Sequence, residues 1–364
     1  MRQRPDPVHA FADSSPQLRL FPILALDKWR RCAPFSPAML LFRRVLCCAS
    51  LLATLSGSLP LTAQLVEPTG AGEKPKGFKF KDGDRVVLLG NTVIEREQRY
   101  ATFEPLLHLS LAEVKVSVRN LAWSGDTVFG HARSYFGPPS EGLQRLSGHL
   151  EMLKPTVVML CYGSEMAFDR LNGLPEFLTG YRTLLDLIRS KSPGVRLVVI
   201  SPPPLENLPP PLPDQTDANK SLSSFRDALR KFAGSQNVYF VDWFELMGGM
   251  PKPGRTVKPL TENGVHYTRE GYEVLSAKLL EGLRLPVPQV TDAALEPLRQ
   301  AVLHKDELFF NRWRPQNETY LFGFRKHEQG QNAKEIPMFD PLIEQADARI
   351  QQAKAALLGS GKPL

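Results

Sequence analysis

The sequence predicts a three-layer α/β/α sandwich built on a parallel, flavodoxin-like sheet. Its strand candidates are continuous apolar runs, which are typical of strands buried on both faces. Helical stretches separate these runs, and strands that alternate with helices indicate a parallel sheet covered on both sides. Glycine and polar residues directly follow several strands, and such positions form the sites of α/β sheets.

Five strands are predicted, at 85–89, 114–121, 156–161, 196–200 and 238–241. Helices are predicted at about 94–109, 139–153, 175–190, 219–234, 269–283 and 340–357. The Pro-rich stretch 202–213 is predicted to be a surface loop, because consecutive prolines fit neither a helix nor a central strand.

The sequence divides into four parts. Residues 1–63 form an N-terminal extension with a signal peptide, 64–82 a linker, 83–288 the α/β domain, and 289–364 a C-terminal extension. The extension is rich in aromatic and Arg residues between 308 and 326, and we expect it to be helical in part and to pack on the domain. The alternative is an exposed surface for a carbohydrate or a protein partner.

The N-terminal part resembles an export signal. Arg43 and Arg44 precede a mostly apolar run at 45–61, and Ala63 offers a small residue for cleavage, with Met39 as the expected start. This three-part order is that of a secretory signal peptide. We therefore expect an exported protein, periplasmic or secreted, which would contact a membrane only if the segment stays uncleaved.

Charge and cysteine content exclude several classes of function. The net charge is +7, but residues 1–63 hold eight Lys and Arg against three Asp and Glu, which leaves 37 basic against 35 acidic residues. We therefore expect no nucleic-acid partner. Only Cys161 would remain after cleavage, and no Cys and His residues have zinc-site spacing. No metal and no organic cofactor is implied.

Four blocks of small and polar residues follow the predicted strands or close the domain. They are Gly90-Asn91-Thr92, the stretch 120–127, the stretch 162–165 and the stretch 262–268. Each block alone is a common turn sequence. The four together, in this order and at these strand ends, indicate one site.

These blocks resemble those of the SGNH (GDSL-like) hydrolases, over about residues 84–283. That family shows Gly-Asp-Ser after the first strand, a Gly after the second, Gly-x-Asn after the third and Asp-x-x-His near the end. The resemblance implies the SGNH hydrolase fold and hydrolysis of ester bonds. The wider strings around Thr92 and Gly125 are similar to a secreted bacterial subgroup.

Gly125 and His266 match the family, and four other positions depart from it. Thr92 stands at the nucleophile, and Asn91 precedes it as a supporting residue. At the other two positions, Glu165 replaces the oxyanion Asn and Asn263 replaces the Asp that orients the histidine.

The resemblance implies attack by Thr92 with His266 as the base and Gly125 as an oxyanion donor. Asn263 is expected to accept a hydrogen bond from the imidazole through its amide oxygen, without a charge to stabilise the imidazolium. Glu165 would repel an oxyanion when ionised, but burial that kept it protonated would restore a donor.

Structural roles remain as alternatives for several of these residues. Thr92 could cap the helix that follows it, and His266 could be a packed loop residue. Asp126 and Thr127 are expected to cap the helix after the second strand.

The predicted function is hydrolysis of an acyl or acetyl ester on a carbohydrate or cell-wall substrate. The alternative is a catalytically silent protein of the same fold that binds a glycan or a protein partner.

Overall fold

The computed structural model describes residues 77–169, 171–251 and 258–359. The predicted signal segment and most of the predicted linker lie outside the described residues. The four-part division of the chain therefore stays a prediction.

The sheet has five parallel strands in the order β2-β1-β3-β4-β5. The strands are β1 (Asp84–Gly90), β2 (Val116–Asn120), β3 (Val157–Cys161), β4 (Arg196–Ile200) and β5 (Tyr239–Val241). All four neighbouring pairs are parallel. The predicted fold class is confirmed, and each predicted strand overlaps an observed one.

Helices follow the strands. They are α1 (Thr92–Glu95), α2 (Phe103–Ser110), α3 (Pro139–Leu153), α4 (Leu174–Lys191), α5 (Thr216–Ser235), α6 (Trp243–Leu246), α7 (Arg269–Leu283), α8 (Asp292–Trp313), α9 (Glu318–Leu321), α10 (Lys326–Gln329) and α11 (Phe339–Gly359). Within the described ranges, no helix is long and apolar enough to cross a lipid bilayer.

Alternate residues of β1 enter opposite hydrophobic cores. Val86 and Leu88 pack with residues of α2 and α7 on one face of the sheet. Val87 and Leu89 pack with residues of α3, α4 and α5 on the other face. The continuous apolar run is explained by this arrangement, because both faces of the strand are buried.

The single helix expected over 94–109 is interrupted. A 3-10 turn at Arg96–Arg99 follows α1, and Ala101 adopts a positive φ of 48° before α2 begins. The carboxylate of Glu97 accepts hydrogen bonds from the backbone N–H groups of Thr102 (2.7 Å) and Phe103 (2.8 Å). These two hydrogen bonds satisfy the first backbone N–H groups of α2 and fix the residue at which the helix begins.

Helix α8 was not predicted from the sequence, and a buried lysine explains why. Lys305 is fully buried and donates to Glu104 on α2 (2.7 Å) and to the carbonyl of Val118 on β2 (3.0 Å). Asp306 is buried beside it and accepts from it at 2.5 Å. Charged residues at core positions break the apolar periodicity by which a helix is recognised.

The end of α8 contacts the loop after β2. Trp313 meets Trp123 edge-to-face with 5.6 Å between ring centroids, and it also contacts the ring of His149. Arg314 lies 3.6 Å from the ring centroid of Trp123 and forms an ion pair with Glu95 at 2.5 Å. Through these residues the predicted C-terminal extension, which begins at 289, contacts the predicted α/β domain.

Candidate active site

A cavity of about 150 Å³ lies at the carboxyl ends of β1, β3 and β4. It is lined by Asn91, Thr92, Val93, Arg96, Gly125, Ser164, Glu165, Phe168, Pro203, Pro204, Leu205, Val265, His266, Tyr267 and Tyr272. Five of the six residues singled out from the sequence are among them. The sixth, Asn263, lies behind His266 and contacts it.

Thr92 is placed by the sharp turn between β1 and α1. Gly90 is the last residue of β1. A Cβ atom at this position would lie only 2.6 Å from the carbonyl oxygen of Cys161, so no larger residue fits. Asn91 is the N-cap of α1, and its side chain accepts from the N–H of Val93 at 3.4 Å. The capping alternative for Thr92 was therefore wrong, and its hydroxyl group borders the cavity.

Gly125 presents its N–H group to the Thr92 hydroxyl. The distance from Gly125 N to Thr92 Oγ1 is 3.2 Å, and Gly125 has a φ of 73° that favours glycine. A donor this close to the attacking oxygen suits an oxyanion that forms beside it.

Asp126 and Arg133 hold this loop in place. Both side chains are buried and form an ion pair at 2.7 Å. Arg133 also donates to the carbonyl of Leu121 at 2.6 Å, and the hydroxyl of Tyr162 on the third strand's loop donates to Asp126 at 3.3 Å. The prediction that Asp126 caps the next helix was wrong, since Pro138 is the N-cap of α3.

Thr127 does not cap α3 either. Its hydroxyl group accepts from the N–H of Phe129 at 3.2 Å and contacts the Nδ1 atom of His131 at 2.8 Å. It therefore stabilises the turn of its own loop.

Glu165 meets Asn91 at the cavity floor. The Asn91 amide donates to Glu165 Oε2, which also accepts from the N–H of Gly163 at 3.4 Å. The other carboxyl oxygen, Oε1, is buried without a hydrogen-bond partner among the described residues. Burial is the main cause that raises the pKa of Glu165 to about 7. A protonated Glu165 is therefore accessible near neutral pH and would carry an O–H donor at this position.

Asn263 contacts His266 through its amide nitrogen. Its Oδ1 atom accepts from the backbone N–H groups of Val265 (3.1 Å) and His266 (2.9 Å). These two bonds fix the amide orientation, so Nδ2 lies 3.2 Å from His266 Nδ1. The expected bond from the imidazole to the amide oxygen was wrong, because the backbone already occupies that oxygen.

This orientation selects a tautomer of the histidine. The Asn263 NH₂ group donates to Nδ1, so the proton of a neutral imidazole sits on Nε2. A general base needs the opposite tautomer, with Nε2 free to accept a proton.

The surroundings of His266 keep it neutral. Partial burial lowers its pKa, and the positive charges of Arg96 and Arg99 act in the same direction, whereas Glu262 opposes them. Glu262 forms an ion pair with Arg96 at 3.2 Å.

The loop of His266 is anchored by Glu206. Its carboxylate accepts from the N–H groups of Leu260 (2.9 Å) and Thr261 (2.8 Å) and from the Thr261 hydroxyl (2.5 Å). The Tyr267 hydroxyl donates to the carbonyl of Pro204 at 3.0 Å. These contacts tie the histidine loop to the segment after β4.

That segment was predicted to be a surface loop, but its first part is buried. Residues 201–205 are buried, and Asn219 on α5 holds Leu205 by a pair of hydrogen bonds, at 2.9 and 2.8 Å. Pro203, Pro204 and Leu205 form a wall of the cavity. Prolines tolerate this position because they need no partner for a backbone N–H group.

No hydrogen bond joins Thr92 to His266 among the described residues, although both border the same cavity. Catalytic hydrogen bonds are often long without substrate and tighten in the complex. In the described ranges, no three His, Cys, Asp or Glu side chains are grouped in a way that would hold a metal ion.

The chain is similar to one family of known proteins. The model of the GDSL-like Lipase/Acylhydrolase family matches residues 88–274, which is just over half of the chain. No curated protein matches the chain at a significant level.

Several solved structures resemble the chain. A gut microbial diltiazem-metabolizing enzyme is 17% identical with a TM-score of 0.45, over 57% of this chain and 48% of that one, so the chain spans about half of its length. A catalytic mutant of an acetylxylan esterase from Geobacillus stearothermophilus is 16% identical with a TM-score of 0.45, over 59% of this chain and all of that one. A lipase/acylhydrolase from Enterococcus faecalis is 21% identical with a TM-score of 0.40, over 57% of this chain and all of that one.

The predicted enzyme class, a hydrolase acting on ester bonds, is confirmed at the level of the family. With a family match that spans all four sequence blocks, the chain belongs to the GDSL-like lipase/acylhydrolase family.

Proposed function

We propose that this site hydrolyses a short acyl ester, such as an acetyl group on a carbohydrate or cell-wall polymer. The observation that carries the proposal is the meeting of Thr92, Gly125, Glu165 and His266 around one cavity. The cavity measures about 150 Å³ and its walls are mainly apolar, which suits an acyl group of a few carbons.

In this mechanism Thr92 Oγ1 attacks the ester carbonyl carbon. The hydroxyl proton passes to Nε2 of His266, and the N–H of Gly125 and the protonated carboxyl of Glu165 stabilise the oxyanion. Collapse of the intermediate releases the alcohol, which takes the proton from His266. Water then attacks the acyl-threonine, again with His266 as the base, and frees the acid.

The tautomer imposed by Asn263 slows this sequence. Proton transfer to Nε2 requires the form with the proton on Nδ1, which faces the Asn263 NH₂ group without an acceptor. We therefore expect turnover well below that of a site with a carboxylate at position 263.

The test is hydrolysis of 4-nitrophenyl acetate by the parent, Thr92→Ala and His266→Ala. Thr183→Ala, an exposed position on α4, is the matched control. We expect both site variants to lose the activity and the control to keep it. Equal rates in all four proteins would refute catalysis at this site.

A second candidate is a silent member of the family that binds a glycan. The amide at position 263 favours it, as does an exposed aromatic pair, Phe136 and Phe324, whose ring centroids lie 5.8 Å apart. Retention on insoluble xylan that is lost in Phe136→Ala, together with no Thr92-dependent hydrolysis, would favour binding over catalysis.

We also propose that the protein is exported. Arg43, Arg44 and the apolar run 45–61 support the proposal. After expression of the full chain in a bacterium, N-terminal sequencing should find Gln64 as the first residue. A protein that keeps the apolar run would contradict the cleavage.

A further inference from the structure

Arg96 borders the same cavity as Thr92 and His266, and its role is not explained by ester cleavage. It opens the 3-10 turn directly after α1, and its side chain is only 14% exposed. It lines the same cavity as His266, and its positive charge is one of the causes that lower the pKa of that histidine.

The hydrogen bonds of this guanidinium are incomplete. Its Nη2 atom donates to Glu262 at 3.2 Å, but its Nε atom is buried and has no partner among the described residues. A buried donor without a partner loses its hydration and gains nothing in return. Glu262 is 51% exposed, so this ion pair is open to competition by another anion.

Apart from Arg96, the residues that line the cavity carry no fixed charge. Among its lining residues, the remaining charged candidates are Glu165 and His266. Glu165 is neutral below its pKa of about 7, and the lowered pKa of His266 favours the neutral imidazole. In this state the cavity presents one guanidinium to a ligand.

We propose that Arg96 binds an anionic group of the substrate, so that the site selects esters carrying a carboxylate near the scissile bond. This inference rests on the proposed function, because that function defines where in the cavity the scissile bond lies. A guanidinium offers a planar pair of N–H donors that matches the two oxygens of a carboxylate. In the free protein Glu262 accepts one of the hydrogen bonds of this guanidinium, and it is displaced when the substrate anion binds.

The first experiment measures binding and needs no turnover. Calorimetric titration compares 4-hydroxybenzoate with its neutral isostere 4-hydroxybenzamide, at low salt and pH 6.5. At this pH the raised pKa of Glu165 and the lowered pKa of His266 both favour the neutral forms, whereas the benzoate is ionised. We expect 4-hydroxybenzoate to bind roughly ten- to hundredfold more tightly than the benzamide, because a hydrogen bond between two charged groups is stronger than one to a neutral group. Equal affinities for the two ligands would overturn the proposal.

Two variants should shift this ratio in opposite directions. Arg96→Met should abolish the preference for 4-hydroxybenzoate, whereas Glu262→Gln should increase it because it removes the competing carboxylate. If Arg96→Met does not fold, the Glu262→Gln result still decides, since an unchanged or smaller preference there contradicts the proposal.

The second experiment separates this proposal from the proposed function. The parent is assayed on 4-acetoxybenzoate and 4-acetoxybenzamide, which transfer the same acetyl group. We expect the acid to have the lower KM with a similar kcat, as for an interaction present in both ground and transition states. Hydrolysis without a preference refutes the role of Arg96 alone. A binding preference without any hydrolysis refutes the esterase function alone.

Discussion

At the scale of single residues, the orientation of one amide determines which nitrogen of His266 carries the proton. Asn263 gives its oxygen to two backbone N–H groups and therefore turns its NH₂ group to the histidine. An aspartate in the same place would keep those backbone bonds with one oxygen. Its second oxygen would accept a hydrogen bond from the Nδ1–H group and leave Nε2 free to accept a proton.

Asn263→Asp should therefore raise kcat for 4-nitrophenyl acetate. The corresponding loss of a carboxylate in a serine protease costs about 10⁴ in rate, which sets the upper limit of the gain. Asn332→Asp, at an exposed position, is the matched control for the added charge. A folded Asn263→Asp protein that is no faster than the parent would contradict the tautomer argument.

Glu165 should make the activity depend on pH. The neutral base is present above the lowered pKa of His266, and the protonated donor is present below the pKa of Glu165, about 7. We expect a bell-shaped kcat/KM profile that falls as the pH rises through about 7.

Glu165→Gln keeps an N–H donor at every pH, so the alkaline fall should disappear while the acid limb stays. The measurement is the pH profile of both proteins on 4-nitrophenyl acetate. An alkaline limb that persists in Glu165→Gln would show that another group controls it.

At the scale of elements, the loop after β2 depends on a buried ion pair. Asp126 and Arg133 are both buried, and Arg133 links the pair to the backbone of Leu121. Removing one partner would leave the other charge buried without compensation.

Asp126→Asn should lower the free energy of unfolding by about 3–5 kcal/mol. Glu281→Gln, which breaks a partly exposed pair with Lys278, should cost less than about 1 kcal/mol. Urea denaturation of both variants checks this. Similar decreases in the free energy of unfolding of the two variants would contradict a larger contribution from the buried ion pair.

The elements that were predicted correctly share a simple signal. The strands at 85–89 and 196–200 are unbroken apolar runs, and α7 has its predicted bounds because Thr268 caps it. The break before α2 could not be predicted, because it depends on where the buried carboxylate of Glu97 points.

The candidate site was predicted only in part. Motif order located Thr92, Gly125 and His266 at one edge of the sheet, because strand ends meet there. The orientation of Asn263 and the incomplete bonding of Arg96 depend on contacts between loops far apart in sequence. Neither leaves a pattern in the amino-acid order.

At the scale of the whole molecule, α8 is attached to the α/β domain through Lys305. This lysine joins α8 to α2 and to the middle of β2, and it lies in a buried cluster with Glu104 and Asp306. The helix therefore belongs to the folded unit of the domain rather than to a separate tail.

Lys305→Met should lower the free energy of unfolding by about 3–5 kcal/mol, because two buried carboxyl groups lose their cation. Lys278→Met, on the surface of α7, serves as the control and should change it little. Thermal unfolding followed by circular dichroism measures both. A variant with parental stability would indicate that the carboxyl groups are neutral in the folded protein.

The contact between Trp123 and Trp313 has an optical consequence. Two indole rings at 5.6 Å are close enough for their electronic transitions to couple, and Arg133 and His149 lie beside them. Trp123 belongs to the loop that carries Gly125, and Trp313 ends α8. A change in the fluorescence and near-ultraviolet dichroism of these two indoles would therefore report whether the C-terminal helices remain packed beside the loop of Gly125.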